Sequence, residues 1–117
     1  MMFKGGNFQR GTIAGTKFED KNGNGIKDPT EPGIPNWKIR LTGAKEDSTV
    51  TDSSGNYSFI DLNVGVYIVS EEHRIGWIQS YPTTDSVHTI SIQSTTHATD
   101  KNFGNYRVAS ISGVKFN

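Results

Sequence analysis

No cysteine occurs anywhere in the 117 residues, so no disulfide can brace this fold. Apolar residues are scarce at 32%, which leaves only a modest core for a chain of this length. Domains in that position recruit a metal or a neighbouring domain as a staple. Neither charge is in excess: 12 Lys and Arg balance 12 Asp and Glu. With no basic stripe, nucleic acid is excluded as the main partner. No apolar run is long enough to cross a bilayer, so this segment does not insert into a membrane. The opening Met1-Met2-Phe3-Lys4-Gly5-Gly6 lacks the apolar stretch of a secretory signal.

What is present is, first, a self-overlap. Gly6 to Glu19 (GNFQRGTIAGTKFE) matches Gly104 to Asn117 (GNYRVASISGVKFN) at a constant shift of 98 positions. Gly6, Asn7, Ile13, Gly15, Lys17 and Phe18 recur as Gly104, Asn105, Ile111, Gly113, Lys115 and Phe116. A period of that length is a whole domain, so the pattern is a string of beads rather than a solenoid. The expected boundaries are 1–10 as the tail of a preceding repeat or a linker, 11–106 as one domain, and 107–117 as the start of the next.

Helical periodicity is absent, and alternation is common. Trp37, Ile39 and Leu41 alternate with polar neighbours, as do Tyr57 with Phe59, and His88, Ile90 and Ile92. Val66-Tyr67-Ile68-Val69 reads as a more central strand, and Phe103 to Tyr106 as the last. Asp52-Ser53-Ser54-Gly55-Asn56 reads as a hairpin turn. Short strands at this spacing predict an all-β sandwich.

Asp20 to Glu31, DKNGNGIKDPTE, fits the calcium-loop pattern D-x-[DN]-x-[DN]-G-x5-E throughout. Calcium takes six to eight oxygens in irregular geometry. Asp20, Asn22 and Asn24 would offer side-chain oxygens, Ile26 its carbonyl, Asp28 a direct or water-borne contact, and Glu31 both carboxylate oxygens. Gly25 permits the sharp turn. Pro29 and Pro32 forbid the exiting helix of an EF-hand, so this is an EF-type loop mounted between strands. Binding at about 0.1–1 mM, usual for extracellular modules, is expected, with the metal near the junction with the preceding bead.

From Phe18 to Leu41, and again at TDSSGNYSFIDL (Thr51–Leu62), GVYIVSE (Gly65–Glu71), Gly76-Trp77 and FGNY (Phe103–Tyr106), the chain resembles an SdrD B-like repeat of the Cna B-like superfamily. The resemblance implies an Ig-like or prealbumin-like sandwich and a Ca2+-stabilised spacer in an extracellular, cell-surface or cell-wall protein. Its partners would be adjacent repeats of the same polypeptide, the module itself being monomeric, with any host or matrix ligand engaged through other domains. Some relatives bind further calcium, for which Asp61 is a candidate beside its turn role. Others in the superfamily form a Lys–Asn isopeptide bond promoted by a buried acid, and the matching positions are Lys17, Asn105 and Glu71. Calcium-loop members do not generally depend on that bond, and Lys17 reads equally as a solvated strand residue.

A second function class is an adhesin module in which Trp37, Trp77 and Tyr81 form an exposed aromatic platform for glycan or peptide; core anchorage is the preferred role for both tryptophans. An enzyme is not expected: His73, His88 and His97 sit in no nucleophile elbow or zinc-ligand spacing, with His88 read as a strand residue and His97 as a loop residue.

Overall fold

The computed structural model describes residues 8–83 and 85–108, so the outer parts of the two self-similar segments, 1–7 and 109–117, lie outside the described residues. Among the described residues nine strands follow one another: β1 (Gly11–Glu19), β2 (Lys38–Gly43), β3 (Asp47–Val50), β4 (Asn56–Leu62), β5 (Gly65–Glu71), β6 (Trp77–Tyr81), β7 (His88–Ile92), β8 (His97–Ala98) and β9 (Phe103–Arg107). They form two sheets, one ordered β4-β1-β9-β6 with β8 also on β1, the other β3-β2-β5-β7.

The alternation seen in the sequence places the core between the sheets. Ile39 and Leu41 on β2, Tyr57 and Phe59 on β4, Tyr67 and Val69 on β5, and Ile90 and Ile92 on β7 all point inward and are buried. Each such side chain contributes about 1.5–3 kcal/mol. Trp37 enters just before β2, is wholly buried, and meets Trp77 edge-on with ring centroids 5.4 Å apart. Burial of Trp37 removes it from any exposed aromatic platform.

The first and last strands are parallel neighbours: Lys17 pairs with Phe103, Phe18 with Gly104 and Glu19 with Asn105. The earlier half of β1 pairs instead with β8 and, on its other side, with β4. Between β8 and β9 the chain presses on Gly15, where a Cβ would stand 2.0 Å from the Lys101 carbonyl oxygen. Only glycine fits there, which gives Gly15 a steric role.

Two expectations are corrected. Asp52–Asn56 is a tight turn, closed by Asp52 Oδ1 accepting the N–H groups of Ser54 and Asn56, but it is not a hairpin. β3 and β4, which it joins, belong to different sheets, so the turn carries the chain across the sandwich. His97 lies on the short β8 rather than in a loop.

Candidate cross-link site and metal loop

Lys17 is an inward-facing residue of β1, and its side chain is fully buried. The solvated reading of Lys17 is therefore wrong. Strand alternation alone does not reveal this, because a long amine on a strand ordinarily reaches water. Its Nζ lies 2.8 Å from Glu71 Oε1 and donates a hydrogen bond to Asn105 Oδ1. Asn105 Nδ2 in turn donates to Glu71 Oε2 at 2.7 Å. Three residues from β1, β5 and β9 thus close a ring of polar groups inside an apolar core. Although Nζ is close to it, Glu71 Oε1 has no aligned hydrogen-bond donor, which leaves it free to take a proton.

Burial dominates the protonation of this pair. It lowers the Lys17 amine to a pKa of about 8, outweighing the opposing pull of Glu71, with Arg74 lowering it further. Burial also raises the Glu71 carboxyl, against the attraction of Lys17 and the hydrogen bond from Asn105. Both shifts favour the uncharged pair, an amine beside a carboxylic acid. The Trp37 ring stands 4.1 Å from Nζ at its centroid, and the Arg74 guanidinium lies 4.5 Å from the same centroid. Trp37 is itself fixed by Nε1–H donating to the Glu72 carbonyl at 2.8 Å. Neither Trp37 nor Arg74 was singled out by the sequence for this role, since nothing in the spacing of residues 17, 37 and 74 brings them together.

The loop after β1 is clamped at its neck. Glu19 N–H donates to the Pro32 carbonyl at 2.9 Å, and Ile34 N–H to the Lys17 carbonyl at 2.8 Å. Inside the neck, Asp20 Oδ1 and Asn22 Oδ1 both accept from Asn24 N–H, and Asn24 Oδ1 accepts from Ile26 N–H. Asn22 Nδ2 donates to Asp28 Oδ2 at 3.1 Å, and the two Glu31 oxygens accept from Lys21 and Asp28 N–H at 2.8 Å each. Gly25 adopts φ +78°, the left-handed turn that the pattern requires.

Among the described residues, no three His, Cys, Asp or Glu side chains come together as a metal cluster. The proposed donors are the carboxylates of Asp20, Asp28 and Glu31, the side-chain amides of Asn22 and Asn24 and the Ile26 carbonyl, all oxygens of the kind a hard cation takes. Asp20 and Glu31 are both buried, and among the described residues neither pairs with a basic side chain. Buried carboxylates without a countercharge are costly, so these residues fit a cation. Ile26, the proposed carbonyl donor, has an exposed side chain.

The loop lies beside the end of β9, where Asp20 N–H donates to the Asn105 carbonyl at 2.7 Å. It is thus at the pole where the last strand finishes, not at the pole where β1 begins, which corrects its placement next to a preceding bead. Asp61, with φ 58°, lies beside Leu62, which pairs with Gly11 at the opposite end of β1. That distance along the strand separates Asp61 from the loop and leaves it the turn role. Of the histidines, His88 Nε2 is 2.7 Å from the Asn102 carbonyl and must donate to it, and His97 Nδ1 meets Thr12 Oγ1 at 3.0 Å.

A two-sheet sandwich whose first and last strands run parallel, with a buried Lys–Glu–Asn ring between them, defines the class as an Ig-like β-sandwich module. The chain belongs to the SdrD B-like domain family, whose model matches residues 11–111. It is 36% identical over 96 residues to a bone sialoprotein-binding protein of Staphylococcus aureus (strain MRSA252), covering 80% of this chain and 8% of that protein. It is 41% identical over 70 residues to the serine-aspartate repeat-containing protein E of Staphylococcus aureus (strain Mu50), covering 57% of this chain and 6% of that one. The chain therefore spans less than a tenth of the curated relatives it matches. Similar solved folds include the major pilin SpaD of Corynebacterium diphtheriae, with TM-score 0.64 and 13% identity, over 91% of this chain and 34% of that one. The minor pilin GBS52 of Streptococcus agalactiae gives TM-score 0.62 and 15% identity, over 93% and 49% respectively.

Proposed function

We propose that this chain is a load-bearing spacer repeat of an extracellular, cell-surface protein, closed by a covalent Lys17–Asn105 bond and stiffened by calcium in the loop from Asp20 to Glu31. The observation that carries it is the buried ring of Lys17, Glu71 and Asn105, which joins the first strand to the last. Pulling force on a module enters through β1 and leaves through β9. A bond between them would carry that force directly and shield the 87 residues from Phe18 to Gly104. The Staphylococcus aureus relatives support this location and role, and the likeness to pilins supports the fold. The binding named for the bone sialoprotein-binding protein belongs to that whole protein and is not assigned to this segment.

In the chemistry the pair's one shared proton rests on Glu71 Oε1, and the uncharged Lys17 amine attacks Asn105 Cγ, forming the new C–N bond. Glu71 gives its proton to the departing Asn105 nitrogen, which faces its carboxyl, the old Cγ–N bond breaks and ammonia leaves, and Glu71 recovers a proton from the new amide nitrogen of Lys17. Glu71 ends as it began, and no oxidant or other reactant is consumed. The Trp37 face holds the amine, and burial favours its uncharged form. In the loop, Asp20, Asn22, Asn24, Ile26, Asp28 and Glu31 would hold the metal. Bound there, calcium supplies countercharge to the buried carboxylates and locks the loop.

The test is intact mass. Chemically synthesised chain, unreacted at the outset, should lose about 17 Da on refolding, one ammonia. Glu71→Gln should retain its full mass over the same time. The rate should form a plateau in pH. The reaction needs one proton shared by the pair. Below the raised Glu71 pKa a second proton charges the amine, and above about 8, where Lys17 titrates, the shared proton is lost. A rate that climbs steadily with pH above that value would exclude the role given to Glu71.

A further inference from the structure

Asn105 sits on β9 between two strands, paired with Glu19 of β1 on one side and Gln79 of β6 on the other. The residues that follow these two partners are Asp20, just past the end of β1, and Ser80 on β6, and they touch. Ser80 Oγ donates to Asp20 Oδ2 at 2.6 Å. The same carboxylate oxygen accepts Gly25 N–H at 2.7 Å, and Asp20 N–H donates to the Asn105 carbonyl at 2.7 Å. Asp20 is fully buried. The loop lies directly against β6 here, since a Cβ on Gly25 would come 3.4 Å from the Ser80 carbonyl oxygen. One side chain therefore ties the loop, β1 and β6 together, and its own N–H holds the backbone of the residue whose side chain is to be attacked.

We propose that the Asp20–Ser80 contact is a positioning element for the Lys17–Asn105 reaction, through which order in the loop is felt at Asn105. The proposal rests on the cross-link reading above. Ser80 touches none of the reacting atoms. It acts by keeping β6 and β1 closed on β9, so that the Asn105 amide stays in register with Lys17 and Glu71. A near-attack geometry tolerates little displacement, so a small loosening of β9 is expressed as a slower reaction. Filling the loop with calcium tightens the bracket, and emptying it relaxes the bracket.

The experiment follows ammonia loss by intact mass in the full synthetic chain, after folding has been confirmed by tryptophan fluorescence. Wild type, Ser80→Ala and Ser80→Thr are each refolded in millimolar calcium and in chelator. Ser80→Ala should react about tenfold more slowly than wild type in calcium, as expected for losing one hydrogen bond to a buried carboxylate. Ser80→Thr, which keeps the hydroxyl, should recover most of the rate. Wild type should slow severalfold in chelator, while Ser80→Ala reacts at the same rate with and without calcium. A purely structural serine would lower the melting temperature without erasing that calcium response. A Ser80→Ala rate equal to wild type, or a wild-type rate indifferent to chelator, overturns the proposal. Wild type that never loses ammonia in any condition overturns the cross-link reading itself, and the two failures are distinct.

Discussion

Lys17→Met should melt about 20 °C or more below the wild-type chain. The substitution keeps the volume and apolar stem of Lys17 but removes the nucleophile. A covalent link between residues 17 and 105 closes a loop of about 90 residues, and the entropy it removes from the unfolded chain is worth about 4–5 kcal/mol. In a domain of this size each kcal/mol moves the midpoint by about 4–8 °C. Glu71, left without the amine, retains the Asn105 hydrogen bond, and burial favours its uncharged form, so the loss is chiefly that of the link. Calorimetry reads the shift, and intact mass read beside it shows whether the wild type carried the bond. The mechanical consequence is larger still. Stretched from its ends, the wild type should yield none of the length between Lys17 and Asn105, whereas Lys17→Met should release about 300 Å of contour from the 87 enclosed residues. Equal extensions for the two chains in a pulling experiment would show that no bond crosses from β1 to β9.

Removing calcium should lower the melting temperature of the wild-type chain by roughly 10–20 °C and open the loop to protease. A ligand present at about a hundred times its dissociation constant contributes about 2.7 kcal/mol, and the same conversion gives the shift. Without the cation, the buried carboxylates of Asp20 and Glu31 lack a countercharge among the described residues, so the loop loosens between its neck contacts. Cleavage should fall between Asp20 and Gly33 and spare the strands. Lys17→Met should keep this response, because the neck of the loop is held by backbone bonds that do not involve the Lys17 amine. If chelator leaves both the midpoint and the cleavage pattern unchanged, the loop is held by its own hydrogen bonds and calcium has no stabilising part.

The sandwich was legible because strand alternation is a local property. Ile39 with Leu41, Tyr57 with Phe59 and Ile90 with Ile92 each declare an inward face within a few residues, and all are buried. The loop's pattern was legible for the same reason: its oxygen-bearing side chains and its turn glycine lie within twelve consecutive positions. β3 was not, since Asp47–Val50 carries a single apolar residue on an exposed sheet edge. The turn at Asp52–Asn56 was recognised as a turn but mistaken for a hairpin. Its chemistry sets how sharply the chain bends, and only packing decides which sheet receives the next strand.

By itself, then, the sequence determined most of the strands, the positions of the turns and the chemical character of the loop, all of which are set by neighbours along the chain. The family resemblance named Lys17, Glu71 and Asn105, but it left Lys17 as plausibly solvated as buried. Tertiary structure decided that question, because burial of an amine is a property of the strands packed around it. Parallel pairing of β1 with β9 brings residues 17 and 105 together across most of the chain, and Trp37, Arg74 and Ser80 join them from three further places. No local pattern encodes such a meeting, since its energy comes from desolvation and contact between segments that the sequence keeps far apart.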